Sequence, residues 1–138
     1  MKRYRMAWQN LLFVGVGGFL GANARYLIST FLNDRTMQSD GWHIPLGTAF
    51  VNITGSLLLA IFLVWVQRRI TIVPNSAKLL IGTGFFGAYT TFSTFANESV
   101  ALWKDNALQA IGYIILTNSL CLIGVILGIW LANRWFTV

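Results

Sequence analysis

Four long apolar stretches run along the chain, at residues 11–32, 46–66, 79–103 and 108–131, with short polar connections between them. Each is close to the roughly 20 residues that carry a helix across the hydrocarbon layer. The pattern therefore predicts an all-α integral membrane protein with four transmembrane helices, forming a single domain over residues 1–138. The aromatic punctuation agrees. Trp8, Trp42, Trp65, Trp103, Trp130 and Trp135 fall at or just outside the predicted helix ends, where amphipathic rings anchor to the membrane interface. Pro45 and Pro74 stand just before spans, where a missing N–H costs least. The first stretch reads as a span, not a removable leader. Its apolar run is too long for a signal-peptide core, and Asn23 and Arg25 sit where a small-residue cleavage site is expected.

The third stretch departs from the others. Residues 84–95 read Gly-Phe-Phe-Gly-Ala-Tyr-Thr-Thr-Phe-Ser-Thr-Phe. Glycine, paired threonines and aromatic residues make a poor helix interior. Backbone that leaves helical geometry at membrane depth must find partners in protein or in a wet cavity. Unwound carbonyls and half-helix ends are ion ligands, so the segment predicts a broken third helix at the centre of an ion path. If helix resumes after Thr91, Phe92 and Phe95 share a face and Ser93 and Thr94 turn to neighbouring ones. Phenylalanines at this spacing usually form core, but hydroxyls flanking them inside a membrane weaken that reading. A ring edge is positive, so ring edges and hydroxyl or amide donors can hold a small anion without a full positive charge. Conduction needs such weak, serial sites.

Polar residues in the other spans are read in the same way. On span one, Gly17 and Gly21 share a face and suit close helix packing. Arg25, about one turn from that span's end, can snorkel to the interface or raise the potential at the mouth of an anion path. On span two, Thr54 and Ser56 can bond back to their own helix, whereas the Asn52 amide needs another helix, water or a passing ion. Glu98 is the one acid within the predicted spans, a residue an anion path would be expected to avoid. On span four, Tyr113, Thr117 and Cys121 are four apart and form a polar stripe with Asn118 beside it, while Gly124 and Gly128 suit packing.

Composition narrows the function. The chain is 56% apolar and 10% charged, with a net charge of +6. The bases flank the spans, so nucleic acid is not an expected partner. Lys2, Arg3, Arg5, Arg68, Arg69, Lys78 and Arg134 fall on one side, with Arg25, Arg35 and Lys104 toward the other. That bias places both termini in the cytoplasm. The single cysteine gives no disulfide framework, and the lone His43 lies in a connection. No nucleophile–base pair, carboxylate dyad or phosphate loop is present, so an enzyme is not expected. Four helices alone cannot enclose a polar path, which predicts an oligomer.

The Gly17-Gly18-Phe-Leu-Gly21-Ala-Asn-Ala-Arg25-Tyr26 run, Asn52 followed by Gly55, and above all the Thr90-Thr91-Phe92-Ser93-Thr94-Phe95 string resemble the Fluc (CrcB) family of fluoride channels. The resemblance covers all four spans. It implies a four-helix subunit of the bacterial inner membrane that assembles as an antiparallel, dual-topology dimer with two pores and exports fluoride passively. By position it implies Phe92, Phe95, Ser93, Thr94, Asn52, Tyr113, Thr117, Arg25 and Glu98 as pathway residues. It further implies a structural, untransported sodium held by the backbone carbonyls of Gly87 and Thr90 from each subunit. The partner is then a second copy in the opposite orientation or, given the basic asymmetry, a paired homologue. Two other readings stand beside it. A small proton-coupled multidrug exporter needs a carboxylate in the first span, where this chain has Arg25. A non-transporting assembly subunit would use the glycines as contact faces but leave the break unexplained.

Overall fold

The computed structural model describes residues 2–36, 44–69 and 71–136, with side chains set aside at 2–7 and 36. His43 and Trp42 lie outside the described residues. Helix α1 runs Lys2–Thr36 and α2 runs Leu46–Arg68. Three segments follow one another without a gap, Asn75–Ala77, Lys78–Phe86 and Gly87–Tyr89, and together form α3, residues 75–89. Helices α4, Phe92–Asp105, and α5, Ala107–Trp135, complete the chain. No strand occurs among the described residues, and the expected all-α class stands.

Three of these helices are long and apolar enough to cross a bilayer: Trp8–Arg35 within α1, then α2 and α5. Many large apolar side chains on α1 and α5 face outward, among them Leu12, Phe19, Leu27, Leu116, Leu122 and Ile126. Soluble proteins rarely present such continuous apolar surface, and the chain is a multi-pass membrane protein. The third apolar stretch is divided between α3 and α4. Thr90 (φ −84°, ψ 156°) and Thr91 (φ −150°, ψ 119°) between them are extended. The discontinuity expected from the sequence is present, at those two threonines.

The connections follow local chemistry. Pro45 and Pro74 occupy the residues before α2 and α3, where no helical N–H is needed. Asn106 alone joins α4 to α5, and its Oδ1 accepts from the N–H groups of Leu108 and Gln109, at 3.0 and 3.1 Å. The asparagine thus caps the longest apolar helix at its start. Arg68 at the end of α2 donates to the Phe136 carbonyl and to Asn133 Oδ1, both at 2.8 Å, tying α2 to the end of α5.

Helix α2 packs along α5, and α1 packs along α3. Small residues set both seams. A methyl group on Gly17 or Gly21 would collide with the backbone of Leu80 or Phe85 respectively. Four residues on α1 thus match five on α3, because Lys78–Phe86 winds as π-helix and its i→i+5 repeat brings residues five apart to one face. On the other seam, Gly124 and Gly128 lie against the α2 backbone at Ile53 and Leu57. Both glycine pairs do the packing expected of them.

Candidate ion pathway

The two threonines of the break are held by α2. Asn52 Oδ1 accepts from the Thr91 N–H at 2.7 Å, and Asn52 Nδ2 donates to the Thr91 carbonyl at 3.0 Å. The amide therefore supplies both hydrogen bonds that Thr91 gives up by leaving the helix. Thr54 Oγ1 bonds back to the Phe50 carbonyl at 2.7 Å and also meets the Tyr89 hydroxyl at 3.1 Å. Gly55 lies so close to Thr90 and Tyr89 that a Cβ there would strike the Thr90 methyl. Thr91 in turn caps α4, its Oγ1 accepting from the Thr94 N–H at 3.2 Å and donating to Thr94 Oγ1 at 3.1 Å.

A cleft of about 230 Å³ opens beside this break. Asn52, Ser56 and Leu59 line it from α2, Thr90 and Thr91 from the break, Phe92 and Phe95 from α4, and Thr117, Asn118 and Cys121 from α5. Its volume accommodates several waters and its wall mixes hydroxyls, amides and phenyl rings. Thr117 is 4% exposed, and its hydroxyl has no hydrogen-bond partner among the described residues. The Thr117 hydroxyl is open to the cleft on an otherwise buried side chain. Cys121 and Ser56 line the cleft from α5 and α2, whereas Asn118 Nδ2 is spent on its own helix, at the Ile114 carbonyl.

The two phenylalanines differ. Phe95 is 6% exposed and packs on Tyr113 with ring centroids 5.2 Å apart, while Phe92, 5.9 Å from Phe95, is 76% exposed in the single chain. They line the same cleft from one helix face, as the i, i+3 spacing requires. Beyond them Glu98 is enclosed by hydroxyls: Thr48 Oγ1 donates to Oε1 at 2.7 Å, and the Tyr113 hydroxyl donates to Oε2 at 2.9 Å. Each carboxylate oxygen thus accepts from a neutral donor on a different helix, a charge-assisted pair of bonds.

Other expected residues stand apart from the cleft wall. Ser93 and Thr94 are exposed on the first turn of α4, beside the Thr91 hydroxyl. Arg25 is half-buried on α1, with no hydrogen-bond or ion-pair partner among the described residues. Gly87 is exposed, and a Cβ built there meets nothing within 4 Å. Among the described residues no cluster of histidine, cysteine and carboxylate side chains suits a metal.

One pattern went unread in the sequence. Thr48, Asn52 and Ser56 are four apart on α2 and face the 113, 117, 121 stripe of α5 rung by rung. Glu98 joins Thr48 to Tyr113, and Asn52 and Ser56 line the cleft from α2 as Thr117 and Cys121 line it from α5. The spacing on α2 was the available signal.

A bundle of apolar helices with a broken segment and a polar cleft at the break has the architecture of a membrane transport protein. Comparison with known proteins specifies the class. Residues 12–129 match the family described as "CrcB-like protein, Camphor Resistance (CrcB)", and the chain belongs to that family. It is 42% identical over 122 residues to the "Fluoride-specific ion channel FluC" of Koribacter versatilis, covering 88% of this chain and 93% of that one. It is 47% identical over 100 residues to "Fluoride-specific ion channel FluC 2" of Moorella thermoacetica, covering 72% and 74%. A relative of the same name from Shewanella sp. (strain ANA-3) is 42% identical over 120 residues, covering 86% and 92%. These relatives are channels and not enzymes.

Proposed function

We propose that this chain is the subunit of a fluoride-selective channel of the bacterial inner membrane, which exports fluoride passively from the cytoplasm. The observation that carries the reading is the polar cleft at the broken helix, walled by neutral polar side chains and two phenyl rings. The names of relatives at 42–47% identity support the same ion. In this reading α3 and α4 together form one crossing, giving four spans in a single domain over residues 1–138.

Fluoride is small and strongly hydrated, so a path must replace its water shell without trapping it. The free Thr117 hydroxyl and the positive rims of Phe92 and Phe95 supply partial charges in series. Asn52 forms the opposite wall, and Ser93 and Thr94 carry donors along the first turn of α4. Arg25, unpaired on α1, raises the potential toward one mouth. Glu98 faces Thr48 and Tyr113, so its two oxygens are directed to hydroxyls at the end of the ring stack. That geometry supports its coexistence with an anion path, for which the sequence offered no reason.

The exposed Phe92 and Gly87 faces belong against a second subunit. An antiparallel partner, a second copy or a paired homologue, gives two pores. It also brings Gly87 and Thr90 of each subunit to a shared centre. The donor set there fits a bound sodium. In a continuous helix the Gly87 and Thr90 carbonyls would accept from the N–H groups of Thr91 and Thr94, but those donate instead to Asn52 Oδ1 and Thr91 Oγ1. Two carbonyls per subunit are thereby relieved of their helical donors, and neutral carbonyl oxygens suit a hard monovalent cation. A sodium there supplies structural cross-linking of the two breaks and is not transported.

Purified protein in liposomes tests the function. Rapid fluoride release with no pH gradient is expected. Uptake of cationic drugs driven by a proton gradient, with no fluoride release, would instead establish the exporter. That reading already lacks its first-span acid: Asp34, the acid of α1, lies beyond residues 11–32.

A further inference from the structure

We infer that Asn52 is a positioning residue for the cation site and acts through the backbone of Thr91, not as a ligand of the passing anion. The inference rests on the reading of the Gly87 and Thr90 carbonyls as sodium ligands. Both polar atoms of the Asn52 amide are committed to one residue: Oδ1 takes the Thr91 N–H at 2.7 Å, and Nδ2 gives to the Thr91 carbonyl at 3.0 Å. The first bond is decisive. The Thr91 N–H is the group that would close the next helical turn onto the Gly87 carbonyl. While Asn52 holds it, that carbonyl is left without its helical donor, on an exposed residue where an added Cβ would meet nothing within 4 Å. The second bond fixes the orientation of the Thr91–Phe92 peptide, and with it the extended step from Thr90 into α4.

Neighbouring contacts support the same assignment. Thr54 meets the Tyr89 hydroxyl at 3.1 Å, and Gly55 seats the Thr90 methyl. One turn of α2 therefore holds every residue from Tyr89 to Thr91. Of these three contacts, only the Asn52 amide competes directly for a hydrogen bond that the helix would otherwise use. Without it, Thr91 can return its N–H to Gly87, and the pair of free carbonyls is lost. An amide placed for anion contact would keep its N–H₂ directed into the cleft. Here one of its two N–H bonds is spent on a carbonyl, and its oxygen, which would repel an anion, is masked by the Thr91 N–H.

The test is a sodium titration of the purified channel against a potassium background, reading the melting temperature, with fluoride flux measured in parallel. Wild type is expected to be stabilised by sodium and not by potassium. Asn52→Ala is expected to need about 10-fold more sodium or higher for half the stabilisation, the usual scale for losing a group that orients a metal ligand. Its fluoride flux should recover as sodium is raised. If Asn52→Ala yields no dimer, Asn52→Ser, whose short hydroxyl cannot span both atoms of Thr91, is measured the same way and the same 10-fold scale is required. An unchanged sodium midpoint in the Ala or Ser variant, with flux lost at every sodium concentration, would overturn the inference and make the amide an anion ligand. A wild type indifferent to sodium would remove the cation reading itself, and this inference with it.

Discussion

Two phenylalanines three residues apart differ in how the fold holds them. Phe95 is enclosed by Tyr113 and its neighbours, while Phe92 lies open in the single chain. Truncating a buried phenylalanine costs about 3–5 kcal/mol from lost contacts and the void left behind. Phe95→Ala should therefore lower the melting temperature in detergent far more than Phe92→Ala, while both slow fluoride flux. Equal destabilisation would mean that Phe92 is buried as deeply as Phe95 in the assembled channel. Tyr113→Phe is a cleaner probe at the same scale. It keeps the ring against Phe95 and removes only the donor to Glu98 Oε2. Loss of a bond to a carboxylate costs about 1.5–3 kcal/mol, so this variant should melt earlier with its dimer intact. A melting temperature unchanged from wild type would show that water or the partner subunit replaces the phenol.

At the scale of elements, glycine and threonine decide the shape. Gly17 and Gly18 are adjacent, yet a Cβ on Gly17 meets the Leu80 backbone and one on Gly18 meets nothing within 4 Å. Gly17→Ala should break the α1–α3 seam, whereas Gly18→Ala should be neutral or stabilise by about 0.5–1 kcal/mol through helix propensity. Comparable losses in yield and melting for both variants would contradict the packing described. Much of this level was legible beforehand. The positions of α1, α2 and α5, the packing role of Gly17 and Gly21, and the discontinuity in the third stretch all follow from spacing and propensity. The π-helical winding of Lys78–Phe86 did not, because it answers to a neighbour's glycines and not to its own composition. Nor did the partners of Asn52 and Glu98. A sequence shows that an amide or an acid in a membrane needs a partner; the helix packing chooses Thr91 and Thr48.

For the whole molecule, charge sets orientation. The span pattern assigns seven of the ten bases to the side of the termini and three to the other, a bias that predicts cytoplasmic termini. Cysteines placed at Arg69 and at Asn106, in connections on opposite sides, should label differently in intact cells. The Asn106 site should be reached from outside and the Arg69 site only after permeabilisation. Equal labelling of both would mean that single copies insert in both directions and can pair with themselves. One-sided labelling assigns the antiparallel place to a homologue with the opposite charge bias.

The claim on which the rest depends is that a dehydrated halide moves past neutral hydroxyls and phenyl edges beside the broken helix. Fluoride and chloride release from vesicles holding wild type, Phe92→Ile or Phe95→Ile measures it directly. Wild type should release fluoride and retain chloride, and each isoleucine variant, apolar but without a positive ring edge, should cut fluoride release sharply while remaining dimeric. Undiminished fluoride release in both variants, or chloride release matching fluoride in the wild type, would contradict it.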